Sequence, residues 1–166
     1  MKEFLKLAIF DVNQTIFNLQ EIKLRFKKKK INPLFVDFWF CNILKEGFAS
    51  SKINKFVNFQ KIAKEELKKL NSIKKKNQDL LFFLNGFKNL RANTGIREGF
   101  ELLKKNKIKI ATLTNGPKKN SINLLKKNKL LKLVDHSFSI EDVGIWKPNP
   151  EPYEYVVKHF KLKPRE

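Results

Sequence analysis

A chain of 166 residues, 42% of them hydrophobic and 16 of them phenylalanine, can bury a real core, which excludes a disordered chain and points to one domain, or a domain with an insertion. Lys and Arg number 36 against 16 Asp and Glu, a net charge of +20. The lysines are spread through nearly every segment, and the two dense runs, KKKK at 27–30 and KKK at 74–76, lack interleaved aromatics or glycines, so nucleic acid is not expected as a partner.

The N-terminal stretch MKEFLKLAIFD is no signal peptide, because Lys6 and Asp11 interrupt its apolar residues. Within it, LKLAIF at 5–10 reads as a strand buried on both faces. Residues 19–92 then carry helical periodicity and no convincing strand: NPLFVDFWFCNILKEGF, INKFVNFQKIAKEELKKL and KNQDLLFFLNGF are amphipathic. Cys41, the one cysteine, excludes an internal disulfide and sits in FWFCNIL, where it reads as a small buried hydrophobe. The longest apolar run, LLFFL at 80–84, is too short to cross a membrane, so a soluble, cytoplasmic protein is expected.

From 94 the pattern alternates. TGIREGFELLKKN reads as a helix with Thr94 as N-cap, IKIATL at 108–113 as a second strand, KKNSINLLKKN as a helix, HSFSI at 136–140 as a weaker third strand and PEPYEYVVKHF as a last helix. Strand and helix in alternation predict an α/β fold, a Rossmann-like parallel sheet wrapped by helices, with 1–18 and 93–166 as core and 19–92 as a helical cap. Ligands of such sheets bind at the carboxyl ends of the strands, which places Asp11 and Thr114 on one rim below the cap.

Three pieces carry chemistry: FDVNQT at 10–15 with Asp11, Asn13 and Thr15; LTNGP at 113–117 with Thr114 and Asn115; and KPNPEPY at 147–153 with Lys147 and Tyr153. Each alone has an ordinary explanation, since Asp and Asn at strand ends are common turn residues and Asn13 could simply tolerate an unusual backbone angle. Neither His136 nor His159 has the surroundings of a catalytic triad. No zinc-type Cys/His spacing and no phosphate-binding glycine loop occur.

Acid, hydroxyl and lysine in this order and spacing resemble the haloacid dehalogenase-like (HAD) hydrolase superfamily, and the WF pair at 39–40 brings the resemblance closest to the 2-haloacid dehalogenase branch. That resemblance implies Asp11 as the nucleophile forming a covalent ester, Thr15 and Thr114 holding it by hydrogen bonds, and Lys147 keeping it ionised. It further implies Asn115 beside the leaving halide, with Tyr153 and Trp39 in the substrate pocket. In the superfamily's phosphatases a second Asp protonates the leaving alkoxide. Here that position is Asn13, which cannot cycle a proton, and a halide leaves without one.

The expected substrate is a small molecule, a 2-haloacid or similar organic acid, with no cofactor. The first alternative is a HAD-type phosphatase, which would require Mg²⁺ with Asp11 as a ligand. The second is an inactive remnant or basic binding protein. No membrane partner is expected, and a homodimer stays open. Two departures stand out. The dehalogenases carry a cap arginine just before WF, where this chain reads FVDFWF, leaving Arg25, Arg91 or a lysine to replace it. The family also continues with a strand beside the first and a fourth, acidic motif, whereas this sequence ends at Glu166, so an incomplete HAD core with an uncovered first strand is expected.

Overall fold

The computed structural model describes residues 5–53, 55–70 and 77–164; the lysine run at 74–76 lies outside them. Three parallel strands form the sheet, β1 (Leu7–Phe10), β2 (Lys109–Thr114) and β3 (His136–Ser139), in the order β1-β2-β3. The register pairs Phe10 with Thr112 and Thr114 with Ser139, so Asp11, Asn115 and Ile140 all leave the sheet at one rim. Among the described strands β1 is an edge, as expected.

Between β1 and β2 run α1 (Gln20–Lys28), α2 (Phe35–Lys52), α3 (Phe59–Lys69), α4 (Asn77–Leu84), a 3₁₀ turn at Asn85–Lys88, and α5 (Ile96–Lys105). After β2 come α6 (Lys118–Lys127) and, after β3, α7 (Glu151–His159). Helix α1 is not anticipated from its lysine-rich text; Ile22 and Phe26, four residues apart, supply its buried face. Helix α3 starts later than its apolar pattern predicts, because the Asn58 side chain accepts a bond from the Lys61 N–H and sets the N-terminus there. At α5 the N-cap is Gly95, at φ 83°, rather than Thr94; a left-handed residue there suits glycine and makes the threonine cap unnecessary.

Cys41 is exposed, not buried. Each residue of a helix turns the next by roughly 100°; with Val36, Trp39, Phe40 and Ile43 facing inward, Cys41 faces away. One continuous apolar cluster joins helices α1–α4 to the sheet, running from Ile22, Trp39 and Phe87 through Trp146 to Phe100, Ile110 and Leu124. A smaller cluster, including Leu113, Phe138 and Val156, packs α7 against the other face. No described helix is long and apolar enough to cross a membrane.

Where α7 meets β3, the rings of His136 and His159 lie 4.3 Å apart between centroids. Burial, then the charges of His159 and Lys118, push the His136 imidazole below its ordinary 6.5, against an opposing pull from Asp142. The unfolded chain therefore binds more protons than the folded one just below pH 6.5. Thermal midpoints are expected to hold steady above pH 6.5 and fall as the pH drops below it, with His136→Gln flattening that slope; an unchanged slope in the variant would assign the acid lability elsewhere.

Candidate active site

The turn after β1 is short and heavily bonded. Ile16 and Phe17 N–H groups both donate to the Val12 carbonyl at 3.0 Å, Gln14 N–H donates to Phe17 O at 2.7 Å, and the Asn93 side chain donates to Thr15 O at 2.8 Å. This closure forces one residue into the left-handed region, and it is Gln14 at φ 70°, not Asn13. The turn-angle explanation of Asn13 therefore fails, while Gln14, a non-glycine held at positive φ on the cleft wall, is a site residue that sequence reasoning missed.

Asp11 projects from this turn with its side chain 41% exposed, and Lys147 reaches it from the loop before α7. Lys147, its side chain 8% exposed, donates from its ammonium to Asp11 Oδ1 at 2.5 Å and to the Leu113 carbonyl at 2.6 Å. Thr15 Oγ1 donates to Asp11 Oδ2 at the looser distance of 3.3 Å. A charge-assisted bond on one oxygen and a weak neutral one on the other leave Oδ2 the freer of the two. Asn115 Oδ1 accepts from the Lys147 N–H at 3.1 Å, which ties the β2 rim to the lysine loop.

These groups line a cleft of about 380 Å³, with Phe40, Leu44 and Phe48 from α2, Phe59 from α3 and Tyr153 from α7. Partial burial, then the Asp11 charge, raise the Tyr153 phenol above its ordinary 10, so it stays a neutral donor across the physiological range.

Two expected site residues sit elsewhere. Thr114 is buried, but its Oγ1 turns back to accept the Gly116 N–H at 2.9 Å; the structure gives it no bond to Asp11. A hydroxyl two residues before an amide closes the turn locally and is then aimed along the chain. Trp39 is 1% exposed, donates to the Ala63 carbonyl at 2.9 Å and packs on Phe26 and Phe87. Its neighbour Phe40 faces the cleft instead. The candidates for the absent cap arginine do not line the cleft either: Arg25 is bonded to Glu21 and to the Phe82 carbonyl, and Arg91 lies outside the wall.

Trp146 was not expected as a site residue. Fully buried, it donates from its indole to Val57 O at 2.8 Å and from its backbone to Ser51 Oγ at 3.0 Å, and it stacks on Phe59. The residue before Lys147 is thus anchored between α2 and the start of α3. A large aromatic next to the lysine is the only sequence sign of this.

Residues 8–166 match the family model described as haloacid dehalogenase-like hydrolase. The chain belongs to that family. The HAD fold is equally plain in solved structures. The L-2-haloacid dehalogenase from Xanthobacter autotrophicus, with chloropropionic acid covalently bound, aligns at a TM-score of 0.86 and 17% identity, over 97% of this chain and 67% of that one. A predicted phosphoglycolate phosphatase from Haemophilus somnus aligns at 0.66 and 20%, over 99% and 76%. By sequence, a phosphorylated carbohydrates phosphatase from Thermotoga maritima is 31% identical over 77 residues, which span 46% of this HAD chain and 36% of the phosphatase.

Proposed function

We propose that this HAD hydrolase cleaves a carbon–halogen bond of a small organic acid through an ester on Asp11. The observation that carries the reading is that Asp11, held by Lys147, is the one carboxylate on the cleft wall among the described residues, with an amide, Asn13, where proton transfer to an alkoxide would need an acid. Asp11 Oδ2 attacks the halogen-bearing carbon from the side opposite the halide, which departs with the bonding electron pair. Asn115 has its Oδ1 committed to the Lys147 N–H, so its Nδ2 can donate to the leaving halide, and the Tyr153 hydroxyl can donate to the same substrate. Water then attacks Cγ of the ester, releasing the hydroxy acid and a proton and restoring Asp11. The better superposition on the dehalogenase than on the phosphatase fold, 0.86 against 0.66, supports the same choice.

The alternative, a phosphatase, is favoured by the Thermotoga relative and would need Mg²⁺. Hard cations want several oxygens, usually more than one carboxylate, and among the described residues the cleft wall supplies one, Asp11. The test is a paired assay. Chloride release from chlorinated acids in the presence of a chelator is expected, with no phosphate release from an aryl phosphate in millimolar Mg²⁺; the reverse pattern would assign the phosphatase, and no reaction in either arm would assign a remnant.

A further inference from the structure

Lys147 sits in a short loop that closes on itself. Its ammonium meets Asp11 Oδ1 and the Leu113 carbonyl, and its N–H donates to Asn115 Oδ1. Two residues on, Asn149 donates to Trp146 O from its side chain at 2.8 Å and from its N–H at 3.2 Å. On the sheet side Asn115 holds this braced loop; on the helical side Trp146 does.

Trp146 is fully buried and takes no part in the cleft wall. Its backbone N–H donates to Ser51 Oγ in the last turn of α2, and its indole N–H donates to the Val57 carbonyl just ahead of α3. The ring lies against Gly47 and stacks on Phe59. Packing alone would be met by another large apolar ring. The two hydrogen bonds add a fixed position, because a displaced loop would leave the indole N–H unpaired inside an apolar cluster.

We propose that Trp146 is a positioning residue for the reaction, with Ser51 as its partner on α2. It touches no reacting atom. It holds the backbone from which Lys147 extends, Lys147 holds Asp11 Oδ1, and Oδ2 is thereby aimed at the substrate carbon. The placement of α2 and of the start of α3 is in this way passed to the nucleophile through a single loop. This rests on Asp11 as the nucleophile and adds to that reading the residues that keep its lysine in place. A misplacement of about 1 Å at a reacting group costs on the order of 100-fold in rate. A loop freed from Ser51 and Val57 therefore slows ester formation while the cleft still binds its substrate, and the loss falls on kcat rather than on KM.

The test compares wild type with Trp146→Phe, which keeps a ring and loses the indole donor, with Ser51→Ala, which removes the hydroxyl acceptor, and with Ser51→Thr, which keeps one. Phe26→Leu is the packing control, since Phe26 is buried in the same apolar cluster and lies off the cleft wall. Two readouts are taken at a temperature where every variant is folded. One is chloride release from 2-chloropropanoate. The other is the rate at which a pulse of acetic anhydride labels Lys147, whose side chain is 8% exposed, relative to the well-exposed Lys45, read by peptide mass analysis. Trp146→Phe and Ser51→Ala are expected to lower kcat by about tenfold or more with KM nearly constant, and to label Lys147 several times faster. Ser51→Thr and Phe26→Leu are expected to match wild type in both readouts. Unchanged labelling in Trp146→Phe and Ser51→Ala overturns the proposal, as does faster labelling with unchanged kcat, or an equal change in Phe26→Leu. If wild type releases no chloride, the dehalogenase reading fails, and the labelling rates alone decide whether Trp146 positions Lys147.

Discussion

Asp11→Asn is expected to abolish halide release, with turnover falling by on the order of 10⁴-fold or more, because the amide oxygen is too poor a nucleophile to form the ester. The substitution is nearly isosteric, so the cleft keeps its shape. It also removes the anion facing the Lys147 ammonium, whose side chain is 8% exposed and which retains the Leu113 carbonyl and an amide oxygen as acceptors. Breaking a fully buried pair costs about 3–5 kcal/mol. Asp11 is 41% exposed, so solvent screening reduces that figure to about 1–2 kcal/mol. The expected outcome is a folded protein, its thermal midpoint a few degrees lower, with no chloride produced. Residual turnover within tenfold of wild type would remove Asp11 from the reaction.

Gly47→Ala is expected to be the most disruptive single methyl in α2. A Cβ at Gly47 would stand 2.4–2.6 Å from three ring atoms of Trp146, closer than any real contact. Trp146 has no room to yield, held by its bonds to Val57 and Ser51 and packed edge-on by Phe48. Overpacking ordinarily costs about 1–3 kcal/mol, and a clash against a pinned ring should reach or exceed the top of that range. Because Lys147 follows Trp146 directly, activity should fall further than stability alone would require. Gly99→Ala is the control: it is a helical glycine with open space around its Cβ, and substitution there should be neutral or stabilise by up to about 1 kcal/mol. Denaturant midpoints of the two variants check both expectations, and equal midpoints would contradict the packing argument.

How much of this was readable from the sequence follows from how local each signal is. The three strands are short apolar runs ended by turn residues, and α6 and α7 are periodic, so all five appear within a residue or two of their expected places. Asp11, Thr15, Asn115, Lys147 and Tyr153 meet in one cleft because they follow strand ends or open a helix on the same rim. What failed depended on rotation or distance. Whether Trp39 or Phe40 faces the cleft turns on about 100° of helix, and the aromatic pair itself does not say which. Thr114 was expected to reach across the rim, but its Oγ1 accepts the Gly116 N–H within its own turn and makes no bond to Asp11. The Gly47–Trp146 contact joins residues far apart in the chain, and no pattern within either segment announces it.

The most direct measurement is a single turnover of a chlorinated acid in oxygen-18 water with enzyme in excess, followed by mass analysis of the peptide containing Asp11. Ester hydrolysis at Cγ predicts one heavy oxygen in the Asp11 carboxylate and none in the hydroxy acid. Heavy oxygen in the hydroxy acid, with Asp11 unlabelled, would mean that water attacks the substrate carbon itself and that no ester forms.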